Sequence, residues 1–387
     1  MPKTLERLSL DAGFPIAAIA VTAANKIVLG GGGGPGRSGV QNKLAIYSTP
    51  TQKGLKKVAE LVLSSTEDAP TCLAAHPKDE ALVASVNQDK ETIEAGKNNN
   101  CRVFTVASKK VKAGKSTSSI CSTSDMEYQK SVVFSPSGRL VAGGATDGTL
   151  AVLEYPSLRP QFPFVDAVDE INDVDFSGDS AWVVAVTDAE LKVLAVSDAG
   201  LVKSIEQPHT QGEDAVFRFA RFGRGQGSIM PRGGGGAVDV TSVLYTVLNT
   251  RSRKNAYIVQ WDTKSWSRLA TRLVASSAIT TIAMSRDGSL MAFATASLQI
   301  AICDARSLKV LMRIPKAHGF AITALAFDRE TRYLVSGSAD ETCRVFVLPD
   351  KWPTPVDMAV AFAQDYSRVI AILVVFLATL LALALRN

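Results

Sequence analysis

The sequence predicts an all-β propeller of seven blades followed by a C-terminal transmembrane helix. The first observation is a repeat, since Phe134 and Phe176 are 42 positions apart and Met284 and Phe327 are 43 apart. That period is typical of propeller blades of four strands each. The second is the stretch 369–385, VIAILVVFLATLLALAL, whose seventeen residues carry no charge, which is near the short limit for crossing a bilayer.

Each copy of the repeat has three short apolar stretches separated by polar turns that contain Ser, Asp or Gly. Four copies are regular, and they begin at Val132, Val174, Ile282 and Leu325. Three further units are interrupted by inserts, and they begin at Phe14, Cys72 and Arg218. We therefore expect seven blades.

The two ends of the repeat region predict how the ring closes. After the third strand of the last copy the chain turns at Pro349, while the segment TLERLSL at residues 4–10 has no partner in the first copy. We predict that the N-terminal strand completes the last blade, because this pairing removes an exposed sheet edge.

Composition restricts the class of protein. A chain of 387 residues with 46% hydrophobic and 20% charged residues is typical of a globular protein, and its net charge of +5 requires no nucleic-acid partner. Its five cysteines are scattered and contain no C-x-x-C pair, which favours reduced cytosolic thiols. The first fifteen residues lack the apolar core of a secretory signal.

The apolar stretch predicts a tail anchor with the propeller facing the cytosol. Arg368 and Arg386 flank it almost symmetrically, so the charge rule does not orient it, but nearly all of the chain precedes it without an export signal. We expect a propeller over 1–350, a juxtamembrane helix or linker over 351–368, the anchor over 369–385 and a lumenal tail at 386–387. The short span best matches the thin endoplasmic reticulum membrane.

The glycine-rich stretch GGGGGPGRSGVQNKL, Gly30 to Leu44, requires explanation because glycine in ordered structure costs about 0.5–1 kcal/mol relative to alanine. It satisfies G-x-G-x-x-G from Gly34 to Gly39, but Val40 to Tyr47 is expected to form a strand. A dinucleotide site would require a helix there. The stretch AGKST at 113–117 lacks the first glycine of a phosphate loop and is expected to be a solvated basic turn.

The residues alone leave two interpretations of the first glycine-rich stretch, a flexible loop or an ordered binding loop. Bare backbone can direct carbonyl groups at a monovalent cation or N–H groups at an anion. A second glycine-rich stretch, 223–236, lacks the strands that frame the first and is expected to be a mobile surface loop. The three histidines are far apart, and we find no motif of an enzyme that performs covalent chemistry.

The copies resemble WD repeats, most closely in SGSADETCRVFVLPD from Ser336, where Phe346 replaces the usual tryptophan. Trp261-Asp262 is the only literal WD pair. His318 and Asp340 match the polar positions that brace a WD blade through hydrogen bonds, so the resemblance implies a structural role for both.

A narrower resemblance involves the first blade. NKIVLGGGGGPGRSGVQNKLAIY resembles the endoplasmic-reticulum membrane exchange factors for the Sar-type small GTPase, the family of the prolactin-regulatory-element-binding protein. The resemblance implies GDP release from that GTPase, which starts COPII coat assembly, and leaves contacts with other COPII or exit-site proteins open. It implies no covalent chemistry.

The same resemblance implies which residues act. The GTPase-interacting loop would consist of Gly31, Gly32, Gly33, Gly34, Pro35, Gly36, Arg37, Ser38, Gly39, Val40 and Asn42. A potassium ion would order the loop, with Gly31, Gly32, Gly39 and Asn42 as its ligands, and Asn42 would either contact the partner or order the loop. Pro35 and Arg37 give this loop its own shape and charge. The alternative function is a tail-anchored scaffold for coat or adaptor proteins.

Overall fold

The computed structural model describes residues 5–36, 38–51, 54–107, 110–206, 213–231 and 236–352. These residues form seven four-stranded antiparallel sheets, which are the blades of a propeller. The predicted all-β propeller is therefore confirmed.

The first three blades follow one another along the chain. Blade 1 contains β2 (Ile16–Val21), β3 (Ile27–Gly31), β4 (Lys43–Tyr47) and β5 (Lys57–Val62), after the N-terminal strand β1 (Arg7–Asp11). Blade 2 contains β6 (Cys72–Ala75), β7 (Ala81–Ser85), β8 (Cys101–Val106) and β9 (Val111–Thr117), with helix α1 (Lys90–Glu94) between its second and third strands. Blade 3 contains β10 (Gln129–Phe134), β11 (Leu140–Ala145), β12 (Thr149–Glu154) and β13 (Val165–Asp166).

The remaining blades continue the ring, with one insert. Blade 4 contains β14 (Asp173–Phe176), β15 (Trp182–Val186), β16 (Glu190–Ala195) and β17 (Leu201–Glu206). Blade 5 contains β18 (Ala215–Phe222), β21 (Val243–Thr250), β22 (Ala256–Asp262) and β23 (Arg268–Ala275), and its insert contains β19 (Ser228–Ile229), β20 (Val238–Asp239) and a 3-10 turn (Val240–Ser242). Blade 6 contains β24 (Ile279–Met284), β25 (Leu290–Thr295), β26 (Ile300–Asp304) and β27 (Val310–Ile314), and blade 7 contains β28 (Ile322–Phe327), β29 (Tyr333–Ser338) and β30 (Thr342–Val347).

The same hydrogen bonds and a glycine of positive φ recur in the turns between strands, which explains why the polar segments of the sequence form these turns. In blade 6 the Ser285 hydroxyl donates to Asp287 over 2.6 Å and accepts from the backbone N–H of Leu290 over 2.9 Å. Gly288 has a φ of +66° in the same turn, a conformation that glycine adopts without steric cost. Blade 3 repeats this arrangement with Ser135 and a φ of +80° at Gly138.

The seven inner strands surround the central channel and all run in the same direction along it. One end of the channel is lined by the first residues of these strands, including Ala17 and Lys130, and the other end by the residues that follow them, including Ala23 and Pro136. We call the face where the inner strands begin the loop face and the face where they end the cavity face. Because strands within a blade alternate in direction, every connection between second and third strands lies on the loop face.

The predicted closure of the ring is confirmed. Strand β1 pairs antiparallel with β30 in the register Arg7 with Phe346 and Asp11 with Thr342, so it becomes the fourth strand of blade 7. The backbone N–H of Val347 donates to Glu6 O over 2.9 Å. The contact between blade 7 and blade 1 is tightly packed, since a Cβ added at Gly337 would lie 2.6 Å from Ile16 Cγ2.

Two buried carboxylates join the inner strands of blades 4 and 5. Asp173 accepts from the backbone N–H of Ala220 over 3.1 Å and forms an ion pair with Arg221. Asp175 accepts from the backbone N–H of Phe222 over 2.8 Å. The side chains of Asp173 and Asp175 are 4% and 1% exposed, so these contacts between blades are almost completely shielded from water.

The predicted bracing of blade 7 by His318 is also confirmed. Its Nε2 lies 2.7 Å from Ser336 Oγ, and its Nδ1 lies 2.9 Å from Thr342 Oγ1 and 3.3 Å from Asp340 Oδ1. Burial lowers the pKa of His318 below its ordinary value of 6.5 although the Asp340 carboxylate opposes this effect, and Arg344 adds to it. The folded protein therefore favours the neutral imidazole.

We expect acid to destabilise the protein through this site. The unfolded chain protonates His318 near its ordinary pKa of about 6.5, whereas the folded chain resists protonation, so stability present above that pH is lost as pH falls below it, by up to about 1.4 kcal/mol per pH unit. Burial opposes a low pKa for Asp340, but hydrogen bonds from Thr342 and Gly319 outweigh it and hold that pKa below its ordinary value. Asp340 therefore adds a second loss below about pH 4.

Thermal unfolding at a series of pH values tests this expectation. Between about pH 7 and pH 5, His318→Gln should have a flatter dependence of its midpoint on pH than the unchanged protein, because it lacks the ring that titrates. Parallel curves would show that His318 does not cause the acid sensitivity.

Two sequence expectations, for residues 113–117 and 223–236, require correction. The stretch 113–117 is not a basic turn but part of β9, the outermost strand of blade 2. The polar insert near residues 98–100, whose role the sequence left open, is part of the blade, because Asn98 and Asn100 are buried and their side chains form hydrogen bonds within blade 2. The second glycine-rich stretch is ordered where it leaves blade 5, where β19 pairs with β20, although 232–235 lie outside the described residues.

Two further expectations concern the cysteines and the C-terminal region. All five cysteines are free thiols, and four of them are buried. Within the described part of the chain, no helix is long and apolar enough to cross a membrane. The predicted juxtamembrane helix, anchor and tail lie almost wholly beyond residue 352 and so outside the described residues.

Candidate functional site

The glycine-rich segment forms the connection between β3 and β4 in blade 1, at residues 32–42. Gly31 pairs with Lys43 at the ends of these strands, so the predicted framing by two strands is confirmed. Gly31 also pairs with Ile16, the first residue of the inner strand β2. The segment therefore lies on the loop face, and a strand rather than a helix follows it, as predicted.

The side chain of Asn42 holds the segment together from inside. Its Oδ1 accepts from the backbone N–H of Gly34 over 2.9 Å, and its Nδ2 donates to Gly34 O over 2.9 Å and to Glu67 O over 2.8 Å. With 3% exposure, Asn42 lies beneath the loop. Of the two roles that the sequence left open for this residue, its contacts correspond to ordering the loop.

Two glycines beside Asn42 allow the backbone to approach this closely. A Cβ added at Gly31 would lie 2.0 Å from Pro15 O, and one added at Gly32 would lie 2.3 Å from Asn42 Oδ1. Gly32 also has a φ of +145°. Any side chain at these positions would displace the backbone or the Asn42 amide, so the glycines are required by close contact as well as by conformation.

The far end of the loop is exposed and much less constrained. Pro35, Gly36, Ser38 and Gly39 are all exposed. A Cβ added at Gly39 would have nothing within 4 Å, although the φ of +78° there is strained for other residues. These residues form the part of the loop that a partner could reach.

Two residues fix the return of the chain to the sheet. Val40 is half-buried and packs against the apolar core shared by blades 1 and 7. The Lys43 ammonium lies 5.5 Å from the centre of the Phe14 ring and 3.8 Å from a Glu60 carboxylate oxygen. The loop therefore has a fixed base and an exposed tip.

The connection between blades 1 and 2 contributes residues that the sequence analysis did not identify. Glu67 offers its backbone carbonyl to Asn42, and its carboxylate forms an ion pair with Arg102 over 2.8 Å. A Cβ added at Gly34 would lie 3.5 Å from Asp68 Oδ1. Burial raises the pKa of Asp68, although a hydrogen bond from the Ala69 N–H opposes this. Asn42 and Glu67 are 25 residues apart in the sequence, so no local sequence pattern indicates that they are in contact.

The predicted site residues therefore separate into three groups. Gly31, Gly32, Gly34 and Asn42 meet at the base of the loop, where Val40 packs against the core. Gly33, Pro35, Gly36, Ser38 and Gly39 are exposed, so the structure does not bring Gly39 to the base beside Asn42. Arg37 lies outside the described residues.

Comparison with known proteins supports the sequence resemblance. Residues 309–346 match the WD domain, G-beta repeat family. Over 327 residues the chain is 28% identical to SEC12-like protein 2 of Arabidopsis thaliana, an alignment that covers 83% of this chain and 75% of the relative. It is 22% identical over 385 residues to the guanine nucleotide-exchange factor SEC12 of Candida glabrata, covering 95% and 78%.

A vertebrate relative and a solved structure extend the comparison. The guanine nucleotide-exchange factor SEC12 of Mus musculus is 25% identical over 247 residues, covering 60% of this chain and 58% of the relative. A chain in the crystal structure of the mitotic checkpoint complex superposes with a TM-score of 0.66 and 12% identity, covering 90% of this chain and 96% of that one. At that identity the superposition shows the fold alone.

Proposed function

We propose that this chain, a WD-repeat propeller similar to the SEC12 proteins, promotes GDP release from a Sar-type small GTPase at the endoplasmic reticulum membrane. The relatives named as guanine nucleotide-exchange factors imply a small GTPase as partner. The observation that carries the proposal is the loop at residues 32–42, which has a base fixed by Asn42 and a tip exposed on the loop face.

The exchange step requires only differential binding. A protein that binds the nucleotide-free GTPase more tightly than the GDP-bound form shifts the GTPase towards the free form and accelerates GDP loss. The tip of the loop, Pro35 to Gly39, would contact the GTPase. Because the base is already ordered, contact costs less conformational entropy than contact by a flexible loop would.

A potassium ion fits the chemistry of the loop base. Glycine backbone offers carbonyl oxygens without steric obstruction, and Asp68 places a partly buried carboxylate beside Gly34 with no cationic side chain paired to it among the described residues. Gly31, Gly32 and Asn42 would hold the ion, with Asp68 as a further oxygen donor. When bound, the ion would supply positive charge that holds carbonyl groups inward.

In this proposal the protein acts as a single-pass membrane protein with its propeller in the cytosol. Residues 369–385 would anchor it, so activated GTPase would appear beside the membrane on which the COPII coat begins to assemble. Holding both proteins at one surface raises their effective concentration.

Release of a fluorescent GDP analogue from purified Sar-type GTPase tests this function. Residues 5–352 close the ring by themselves, so fragment 1–352 is a suitable reagent. We expect it to accelerate release more than tenfold in potassium buffer and less in lithium buffer of the same ionic strength. Acceleration that is equal in both salts would exclude the potassium ion while leaving the exchange function intact.

The scaffold alternative predicts a different result. A propeller that only binds coat or adaptor proteins would not change GDP release in either salt, provided that circular dichroism shows a folded fragment. A second GTPase from another small-GTPase class serves as the specificity control, and its GDP release should remain at the spontaneous rate.

A further inference from the structure

The cavity face carries a large concave site that the exchange function does not use. A cavity of about 910 Å³ opens at the end of the central channel, between the turns that follow the inner strands. It lies at the opposite end of these strands from the glycine-rich loop, about 20 Å away for strands of six residues. Its volume is in the range of pockets that bind small molecules.

Blades 5 to 7 give the cavity a cationic rim. Arg224 and Lys264 of blade 5, Arg286 of blade 6 and Arg329 of blade 7 all line it. They come from three consecutive blades, so the positive charges form an arc around one side of the opening. Such an arc matches a ligand that carries more than one negative group.

The carboxylates in the cavity lining are already satisfied by neighbours. Asp328 accepts from the backbone N–H groups of Arg332 and Tyr333 over 2.6 and 2.8 Å and forms an ion pair with Arg332. Asp179 accepts from the Ser177 hydroxyl over 2.5 Å and from an adjacent backbone N–H over 3.0 Å. Asp328 is therefore paired with Arg332 and not with the arc, whereas Asp179 keeps its negative charge and Arg224 is paired with buried Asp175. Among the described residues, the cations of the arc without an ion-pair partner are Lys264, Arg286 and Arg329.

Several donors of the arc have no acceptor. In the described part of the chain, the Lys264 and Arg286 side chains form no hydrogen bond or ion pair. Arg224 donates through Nη2 to Asp175, but its buried Nε has no partner there. A buried donor without an acceptor is costly, which favours a ligand that supplies anionic oxygens.

Two observations indicate that a membrane surface supplies these anionic oxygens to the cavity face. The backbone N–H of Leu348 donates to Arg332 O over 2.7 Å, so the chain leaves β30 on the cavity face, towards the apolar stretch beyond residue 352. Trp352 follows this exit and packs, half-buried, against the apolar core between blades 6 and 7. Trp182 lines the cavity and packs against Trp266 with ring centroids 5.9 Å apart. Tryptophan is enriched where protein meets the membrane interface.

We propose that the cavity binds the phosphate groups of a phosphorylated polyol headgroup, so that the cavity face lies against an anionic bilayer. The glycine-rich loop then faces away from the bilayer, where a GTPase can reach it without steric conflict with lipid. The same chemistry would also admit a soluble phosphorylated polyol, and the experiment distinguishes the two sources.

Co-sedimentation with vesicles tests the proposal. Fragment 1–352 should bind vesicles of phosphatidylcholine mixed with a phosphatidylinositol phosphate and should not bind phosphatidylcholine alone. Lys264→Gln combined with Arg286→Gln should weaken binding about twenty-fivefold, the product of roughly fivefold for each cation removed from an anionic membrane surface. Both side chains are exposed and lack partners among the described residues, so the fold should be preserved.

A matched control distinguishes binding at the cavity from nonspecific attraction between a positively charged protein and the membrane. Lys97→Gln combined with Lys254→Gln removes the same charge from exposed positions on the loop face and should leave vesicle binding unchanged. The Lys264/Arg286 double variant should retain full GDP release in solution. The experiments can therefore reject the phosphate site without rejecting the exchange function, and the reverse.

Vesicle binding that a soluble inositol phosphate competes away supports recognition of the lipid headgroup. Binding of the inositol phosphate without vesicle binding supports the cavity as a phosphate site but assigns the soluble source. Equal weakening by both double variants, or no binding of either probe, would overturn the proposal.

Discussion

Replacing Asn42 with alanine should lower the rate of assisted GDP release about a hundredfold while the propeller remains folded. The substitution removes all three side-chain hydrogen bonds that join the loop to itself and to Glu67. At about 1 kcal/mol each, their loss shifts the equilibrium of the loop towards disordered states by about 3 kcal/mol. Apparent affinity falls with the fraction of molecules in the binding-competent state.

Two further variants distinguish a loop effect from a general one. Asn98→Ala removes a buried asparagine from the corresponding connection of blade 2, where Oδ1 accepts from the Gln88 N–H over 3.1 Å, and it should leave GDP release unchanged. Gly32→Ala should imitate Asn42→Ala, because the added Cβ would overlap the Asn42 amide. Normal exchange by Asn42→Ala with an unchanged melting curve would contradict the role assigned to the loop.

The largest loss of stability is expected from Asp173→Ala. This change leaves the Arg221 guanidinium, which is largely buried, without its carboxylate partner and removes the acceptor of the Ala220 N–H. Breaking a buried ion pair by removing one partner typically costs 3–5 kcal/mol. We expect a loss of about that size in the free energy of unfolding, measured by urea titration with circular dichroism.

The double variant Asp173→Ala with Arg221→Met is the control for this prediction. It removes both charges, so it should be more stable than Asp173→Ala alone. A double variant whose losses simply add would show that the pair makes no specific contribution. The exchange rate at low temperature should change little in either case, because blades 4 and 5 are distant along the ring from blade 1.

The architecture was largely predictable because each blade is built from local signals. Apolar stretches, polar turns and the 42-residue spacing all act within one blade, and they predicted both seven blades and the pairing of β1 with β30. The prediction for 113–117 was wrong because an exposed outermost strand has polar and basic residues that resemble those of a turn. An outermost strand packs against one neighbour only, so its sequence is weakly constrained.

The candidate site was predictable in position but not in its internal contacts. The glycine run and its two flanking strands located the loop from the sequence. Its support by Asn42 and Glu67 depends on two connections coming together between adjacent blades, which no local pattern reveals. The cationic arc of the cavity face was likewise invisible, because Arg224, Arg286 and Arg329 are separated by whole blades in the sequence.

The central claim is that the exposed tip of an ordered glycine-rich loop prefers an empty GTPase. The most direct measurement is the dissociation constant of fragment 1–352 for a Sar-type GTPase, determined once with the nucleotide removed and once with GDP bound. We predict that the fragment binds the nucleotide-free form at least a hundredfold more tightly than the GDP-bound form. In Asn42→Ala this ratio of dissociation constants should fall towards one. Equal affinity for the two forms would contradict the claim, since a ligand without differential affinity shifts no equilibrium.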